Sequence, residues 1–308
     1  MDAEKNALAD TAEFVVPDHA PSASAGTGRV RVDCAGASHV GLVRSNNEDR
    51  YLIVRFGRFL TPLLTNMPGQ TATTMFEEEG YGMIVADGMG GAAAGELAST
   101  LAIRTLLDLV IQTPDWVISS EGRDAQRVMD RMADRFCRID DRLLEEAAKN
   151  PRLEGMGTTM TLACSVGDGL VLAHIGDSRA YLYRAGVLHQ LTKDHTLAQV
   201  LVDQGFLQRT EDAARQLRHS LVRVLGGIGH QCEPDVQRLM LRDHDLILLC
   251  SDGLTNMVPY TDISAILAAG TSANDACAKL VERALQNGGK DNITVMVARY
   301  AFVNRPAA

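Results

Sequence analysis

The sequence contains 308 residues, of which 46% are hydrophobic, and its 39 acidic residues outnumber its 30 lysines and arginines. The hydrophobic content predicts a folded chain with a buried core, and the formal net charge of −9 disfavours a protein that binds the phosphate backbone of nucleic acids. No apolar stretch approaches the roughly 20 residues that span a bilayer, so we expect a cytoplasmic protein that binds neither nucleic acid nor membranes.

Residues 1–28 are predicted to form a disordered tail, because they carry two prolines and a run rich in serine, alanine and glycine. Their acidic start lacks the hydrophobic stretch of a secretory signal. No comparable linker follows, so we expect one compact domain over residues 29–303.

The first half of this domain is predicted to contain two strands and two long helices. Apolar and β-branched residues indicate strands at 51–54 and 81–86, joined by a long loop at 56–79 to which we assign no secondary structure. A helical spacing of apolar residues then ends before Pro114, and a second amphipathic helix covers about 124–149.

Three strand signals separated by short turns predict an antiparallel meander in the middle of the chain. They lie at residues 158–165, 170–175 and 180–183. The remaining elements are two strands and the two helices between them, at 246–250, 293–298, 262–269 and 272–286. Because strand clusters alternate with pairs of helices, we predict an α+β fold in which two antiparallel β-sheets form a sandwich flanked by helix pairs, in α-β-β-α layers.

Acidic residues stand where apolar strands end. Asp87-Gly88 and Asp252-Gly253 each follow a strand directly, and Asp291 lies just before the last strand. A carboxylate at the edge of a hydrophobic sheet is partly desolvated and favours a nearby cation, and Mg²⁺ and Mn²⁺ prefer oxygen ligands. Gly88 has no side chain, which allows its own carbonyl to approach a metal ion. The pattern therefore predicts a divalent-metal site.

Asp-Gly is also a frequent dipeptide of tight turns, and the sequence contains one such case. Asp168-Gly169 lies between two alternating strands, where we predict only a hairpin turn. Asp87-Gly88 differs, because the Met-Gly-Gly-Ala-Ala-Ala that follows it starts a helix instead of a returning strand.

A polar run before the first predicted strand carries Arg44, Glu48 and Asp49. The Arg44 guanidinium offers a bidentate contact to a phosphate, close to two carboxylates that could order water on a metal ion. Taken alone, this run is also compatible with a solvated surface.

Six motifs of the sequence together resemble the successive motifs of metal-dependent protein phosphatases of the protein phosphatase 2C type, in its bacterial branch. They occur in the family's order and extend over residues 37–299. The motifs are Arg44-x-x-x-Glu48-Asp49, Val85-Ala-Asp87-Gly88-Met-Gly-Gly91, Gly157-Thr-Thr159, Gly176-Asp177-Ser178-Arg179, Ser251-Asp252-Gly253-Leu254 and Asp291-Asn292-Ile-Thr294.

The resemblance implies a serine/threonine protein phosphatase whose fold is a β-sandwich flanked by helices. Such an enzyme hydrolyses phosphoserine and phosphothreonine with a water that is activated between two divalent metal ions, Mn²⁺ or Mg²⁺, and a third ion position occurs in the family. Phosphorylated proteins are then the substrates, and a cognate Ser/Thr kinase is the functional counterpart. We also expect a monomer.

The same resemblance implies roles for individual residues. Asp87 would bridge the two ions, with the Gly88 carbonyl on one of them. Asp252 and Asp291 would hold the other ion, and Asp49 would act through metal-bound water.

Two further assignments complete the set: Asp177 would match the third metal position, shared with Asp252, and Arg44 would bind the substrate phosphate.

The sequence departs from the family at Met89, where some members carry a histidine as a candidate proton donor, so that metal-bound water would have to protonate the leaving oxygen. The segment 194–231 resembles the variable flap of the family, and we assign no metal contact to His219 within it.

Two alternatives to an active phosphatase are a dinucleotide-binding protein and a non-catalytic module. The run from Gly88 to Ala93 fits the G-x-G-x-x-A pattern of dinucleotide-binding proteins, but Asp87 would then place a carboxylate beside the pyrophosphate. A catalytically weak regulatory or interaction module of the same fold is the other alternative, and the presence of every metal-ligand aspartate argues against it.

The cysteines and most histidines show no functional spacing. No Cys-x-x-Cys pair occurs among the six cysteines, so we predict buried small hydrophobic side chains and not a zinc or disulfide framework. The histidines at 174, 189, 195 and 230 are interpreted as core or cap residues.

Overall fold

The structure, a computed structural model, describes residues 29–60, 76–112, 123–208, 216–227 and 232–303. The predicted tail, at 1–28, and His230 lie outside the described residues.

Five strands form the first sheet. They are β1 (Arg29–His39), β7 (Arg179–Arg184), β8 (Val187–Gln190), β11 (Leu246–Cys250) and β12 (Ile293–Val303). All of their pairings are antiparallel, in the order β1-β12-β11-β7-β8.

Seven strands form the second sheet. They are β2 (Asp49–Leu60), β3 (Phe76–Met89), β4 (Gly157–Thr158), β5 (Met160–Val166), β6 (Gly169–Ile175), β9 (Leu225–Gly226) and β10 (Asp235–Met240). The order is β10-β6-β5-β3-β4-β9, and β2 pairs with β3.

Helices cover the outer face of each sheet. The long helices α1 (Ala92–Gln112) and α2 (Arg123–Lys149) pack on the second sheet. Two short helices follow along the chain, α3 (Leu197–Asp203) and α4 (Asp252–Thr255). The first sheet is covered by α5 (Tyr260–Ala269) and α6 (Ala273–Gln286). Asn150 caps the 3₁₀ turn Pro151–Leu153 that ends α2.

The central strands are buried on both faces, and their side chains alternate between the space between the sheets and the helices outside. In β3, Met83 and Val85 point between the sheets, whereas Ile84 packs against α1 and α2. In β11, Ile247 points between the sheets and Leu248 packs against α5 and α6. Because successive side chains of a strand point to opposite faces, each central strand contributes to two cores.

The predicted α+β sandwich in α-β-β-α layers is confirmed, and so is the hairpin turn at Asp168, which joins β5 to β6. The predicted meander is wrong in its last step: β7 pairs with β11 and β8, so the chain crosses to the other sheet after Ile175. A short turn fits either a hairpin or a crossing to the other sheet, and the apolar residues within the two strands do not distinguish these cases.

The loop predicted at 56–79 is also wrong at both ends. β2 continues to Leu60 and β3 begins at Phe76, and the two strands remain paired in register from Asp49 with Asp87 to Leu60 with Phe76. Residues 61–75 lie outside the described residues.

None of the helices in the described ranges is both long enough and apolar enough to cross a bilayer.

Candidate metal and phosphate site

The five aspartates of the predicted metal site come from both sheets. Asp49 opens β2 and is the Cα partner of Asp87 near the end of β3. From the first sheet, Asp252 opens α4 directly after β11, and Asp291 lies just before β12. Asp177 lies on the link by which the chain crosses from β6 to β7.

Asp49 is the most deeply buried of these aspartates, with 2% of its surface exposed. Its Oδ2 accepts a hydrogen bond of 2.7 Å from the Ser251 hydroxyl at the end of β11, which joins the two sheets at the site. Its Oδ1 is buried and has no hydrogen-bond partner among the described residues. A buried carboxylate oxygen without a donor is costly unless a cation compensates it.

Burial and mutual repulsion raise the pKa values of three carboxyl groups. Burial raises the pKa of Asp49 to about 7. The polar side chains of Thr294 and Ser251 lower it in part, and the charges of Asp252 and Asp291 add to the rise. Burial, followed by the charges of Asp49 and Asp252, raises the pKa of Asp87 well above its usual range. The pKa of Asp177 rises to about 8, again through burial first and then through Asp252. Like charges therefore converge here without enough compensating cations.

The turn after Asp87 is built for close approach of the backbone. A Cβ atom on Gly88 would collide with the carbonyl oxygen of Gly95 in the first turn of α1. The Gly88 amide donates to the Glu48 carbonyl at 3.3 Å, and the Ser99 hydroxyl donates to the same carbonyl at 2.7 Å. The end of β3, the polar run and α1 are thereby held together.

Arg44 lies at the exposed rim of the site, where 55% of its side chain is accessible. Its Nη2 donates to Asp291 Oδ2 at 2.8 Å, and this hydrogen bond raises the pKa of the guanidinium. Gly41, with a φ of +86°, lets the chain pass against the backbone of Asp291. A phosphate in this position would therefore meet a cation that is already oriented by a carboxylate.

Asn292 fixes the loop that carries Arg44, a role that the sequence analysis did not assign. Its buried side chain donates from Nδ2 to the carbonyl oxygens of Val40 and Asn46, at 2.9 Å each. Its Oδ1 accepts from the Glu48 amide at 2.8 Å. Asn292 and Ser251 both belong to motifs that resemble the family. Their structural roles, however, depend on contacts with residues far away in the chain, which the sequence does not show.

His219, to which no contact was assigned, lies beside Asp252, with 3.7 Å between its Nδ1 and Asp252 Oδ2. The nearby Asp252 carboxylate raises the pKa of His219. At Met89 the structure has an exposed thioether, which cannot donate a proton.

The donor set fits a hard divalent cation in kind. All the candidate ligands are oxygen atoms, as Mg²⁺ and Mn²⁺ prefer. Among the residues that the structure describes, no three acidic, histidine or cysteine side chains form a group that could hold an ion by themselves. In this structure Arg44 and Asn256 hydrogen-bond to Asp291 and Asp252. The evidence for a cation here is therefore the unpaired Asp49 oxygen and the mutual repulsion of the neighbouring carboxylates. Few protein ligands are needed, because Mg²⁺ in proteins commonly keeps several water ligands.

Comparison with known proteins identifies the family of this chain. A family model described as Protein phosphatase 2C matches residues 64–287. This chain belongs to the protein phosphatase 2C family. The serine/threonine protein phosphatase PstP of Mycobacterium tuberculosis is 38% identical over 86% of this chain, and the match spans 44% of the length of that relative. The serine/threonine phosphatase stp of Listeria monocytogenes is 35% identical over 70% of this chain and 82% of its own length.

Solved protein phosphatase 2C structures share the fold. The catalytic domain of PstP in complex with two manganese ions has a TM-score of 0.68 and 34% identity, covering 89% of this chain and 100% of that one. Stp1 of Staphylococcus aureus has a TM-score of 0.72 and 27% identity, covering 91% and 98%. The resemblance inferred from the motifs is confirmed. The dinucleotide alternative is wrong, because every strand paired with β3 is antiparallel to it, whereas dinucleotide-binding folds use parallel strands.

Proposed function

We propose that this chain is a metal-dependent phosphatase that hydrolyses phosphoserine and phosphothreonine in proteins. One observation carries the proposal: the charges of the other four aspartates all act on Asp87, and one buried oxygen of Asp49 has no hydrogen-bond donor among the described residues. The names of the relatives PstP and stp, which are serine/threonine phosphatases, support the substrate class.

Manganese or magnesium is the proposed cofactor, supported by the two manganese ions in the PstP structure. We assign Asp87 and the Gly88 carbonyl, together with Asp252 and Asp291, as the residues that would hold two ions. Asp49 would order water around them. When bound, divalent cations supply positive charge that lowers the pKa of water and offsets the charge of the phosphate.

Asp177 is assigned to a third cation position, shared with Asp252. Burial and the Asp252 charge both raise the pKa of Asp177, which is the signature of a carboxylate that lacks a cation. The charge of the neighbouring Arg179 lowers the pKa of Asp177 only in part, and the Arg179 guanidinium forms a bidentate ion pair with Asp194, at 2.7 and 2.5 Å.

Arg44 is assigned to bind the substrate phosphate. Its planar fork can grip two phosphate oxygens at once, and its exposed position leaves it accessible to a phosphorylated side chain. The hydrogen bonds from Asn292 to the backbone on either side of Arg44 hold the loop that carries Arg44 close to the aspartates. Binding of the phosphate therefore does not require this loop to become ordered. Since Met89 has no titratable group, the proton for the leaving serine or threonine oxygen comes from water.

The test is hydrolysis of a phosphopeptide panel with and without Mn²⁺, for the native chain, Asp87→Asn and Asp168→Asn. Asp168 is the matched control, because it is also followed by glycine but lies in the hairpin turn between β5 and β6. We expect chelator or Asp87→Asn to reduce phosphate release by orders of magnitude, with Asp168→Asn fully active. A folded native protein that binds Mn²⁺ but releases no phosphate would instead support the catalytically weak module.

A cognate Ser/Thr kinase, a cytoplasmic location and a monomeric state remain predictions of the sequence analysis. Size-exclusion chromatography with light scattering tests the monomer. To find the kinase, the native chain is replaced by Asp87→Asn, and the proteins whose phosphorylation rises are identified. The cognate kinase is the enzyme that phosphorylates those proteins.

A further inference from the structure

Two cysteines that are distant in the sequence meet where α2 packs beside β9 and β10. The Cys137 thiol donates to the backbone carbonyl of Cys232 at 3.3 Å, across a separation of 95 residues. Both side chains are half-buried, and both thiols are free. Burial first, and then the neighbouring Cys137 thiol, raise the pKa of the Cys232 thiol.

The same face of α2 holds the chain at two points. One helical turn after Cys137, Asp140 Oδ1 accepts a hydrogen bond of 2.6 Å from the amide of Gly226 in β9. Cys137 then contacts Cys232, just before β10. The helix therefore anchors both ends of the chain between β9 and β10, one end through a buried carboxylate and the other through a thiol.

We propose that Cys137 and Cys232 are a redox-active pair that forms an intramolecular disulfide when a hydroperoxide oxidises the protein. The Cys137 sulfur attacks the peroxide oxygen, which gives a sulfenic acid and releases water or an alcohol. The Cys232 sulfur then attacks the Cys137 sulfur. The S–S bond forms, the S–O bond breaks, and the Cys232 proton leaves with the hydroxide as a second water.

The remaining cysteines are poorly placed for this reaction. Burial raises the pKa values of Cys164, Cys250 and Cys277 to about 12 each. Cys34 is half-buried on β1, and burial raises its pKa as well. A disulfide between Cys137 and Cys232 would close a long loop, which restricts the unfolded chain, so oxidation should raise the melting temperature by several degrees.

The experiment treats the full chain, loaded with Mn²⁺, with hydrogen peroxide and then with N-ethylmaleimide, followed by digestion and mass spectrometry without reductant. We expect the peptides of Cys137 and Cys232 to be recovered as one linked species that has lost two hydrogen atoms and separates after treatment with dithiothreitol. Cys34→Ser, the matched control, should give the same species.

In Cys232→Ser, Cys137 should accumulate as sulfenic and sulfinic acid, because no resolving thiol remains. Recovery of the two peptides as separate sulfinic acids from the native chain would overturn the proposal, as would linkage of either cysteine to another partner. This readout does not depend on phosphatase activity, and the native chain alone decides it if a variant fails to fold.

Discussion

Asp49→Asn should stabilise the metal-free protein at neutral pH while it abolishes activity. The Asp49 carboxyl is 2% exposed and its pKa is raised from 3.8 to about 7, through burial first. Between these two values the folded protein binds more protons than the unfolded chain, so the free energy of unfolding falls as the pH rises. The stability is highest below about pH 4 with respect to this group, and the loss is complete above about pH 7.

The size of the effect follows from the difference between the two pKa values. At about 1.4 kcal/mol for each pH unit between 3.8 and about 7, ionised Asp49 costs the metal-free protein about 4 kcal/mol. About 3 kcal/mol of this loss falls between pH 5 and pH 8. An asparagine does not titrate, and its oxygen can still accept the Ser251 hydrogen bond. Its amide nitrogen in turn lacks an acceptor, which offsets about 1–3 kcal/mol.

The assay is urea unfolding in chelator at pH 5 and pH 8, for the native protein, Asp49→Asn and the surface control Asp108→Asn, which replaces an exposed residue of α1. We expect the native protein and the control to lose stability with pH by the same amount, and Asp49→Asn to lose clearly less. Added Mn²⁺ should restore the native protein at pH 8 more than the variant. An equal loss of stability in all three proteins would refute the reasoning.

Asn292→Ala removes three hydrogen bonds of a buried side chain, so the free energy of unfolding in urea should fall by about 2–4 kcal/mol. Asn287→Ala removes one exposed hydrogen bond and should cost about 1 kcal/mol or less, and equal losses would argue against the role of Asn292 in holding the loop. Arg44→Ala should raise the Michaelis constant for a phosphopeptide about tenfold or more with the unfolding free energy unchanged within about 1 kcal/mol, and an unaltered constant would remove its assigned role. Gly88→Ala should weaken Mn²⁺ binding in calorimetry, because its Cβ would displace the first turn of α1, and native affinity would contradict this.

The sequence predicted the parts of the fold that depend on local signals. The strand at 246–250 and the helix ended by Gln286 were found nearly to the residue, because an apolar run or a helical period is visible within a short window. The crossing between β6 and β7 was missed because neither signal says which sheet a strand joins. β6 is buried at every position, so its residues do not reveal that the next strand belongs to the opposite sheet.

The edges of the sandwich were missed for a different reason. Among the strands that the structure describes, β1 pairs with β12 alone, and β10 pairs with β6 alone. Both strands carry charged residues such as Asp33 and Arg238, as edge strands commonly do. In β1 the apolar residues Val30 and Val32 alternate with charged residues, a period of two that is typical of a strand and that the sequence analysis did not use. In β10 the alternation is weak, because Leu239 and Met240 are adjacent.

The site shows the same division between local and distant signals. Each Asp-Gly at a strand end was visible in the sequence, and the resemblance supplied the order of the motifs. The contacts that orient these residues were not visible, because Ser251 meets Asp49 and Asn292 meets Glu48 across more than half the chain. The proximity of His219 to Asp252 likewise depends on how the segment after α3 folds back.

Because the site is assembled from both sheets, its electrostatics and the packing of the sandwich depend on the same contacts. The Ser251 hydroxyl donates to Asp49 on the second sheet and accepts from the Thr294 amide on the first sheet, at 2.7 and 3.0 Å. Loss of this hydroxyl would remove a donor that lowers the pKa of Asp49 and would also remove a contact between the sheets. In the proposed function the acidic centre would bind cations because its carboxylates are buried and repel one another, and this same repulsion lowers the stability of the metal-free fold. Metal affinity and metal-free stability are therefore opposed at Asp49, and a substitution that relieves the repulsion removes the reason for the cation to bind.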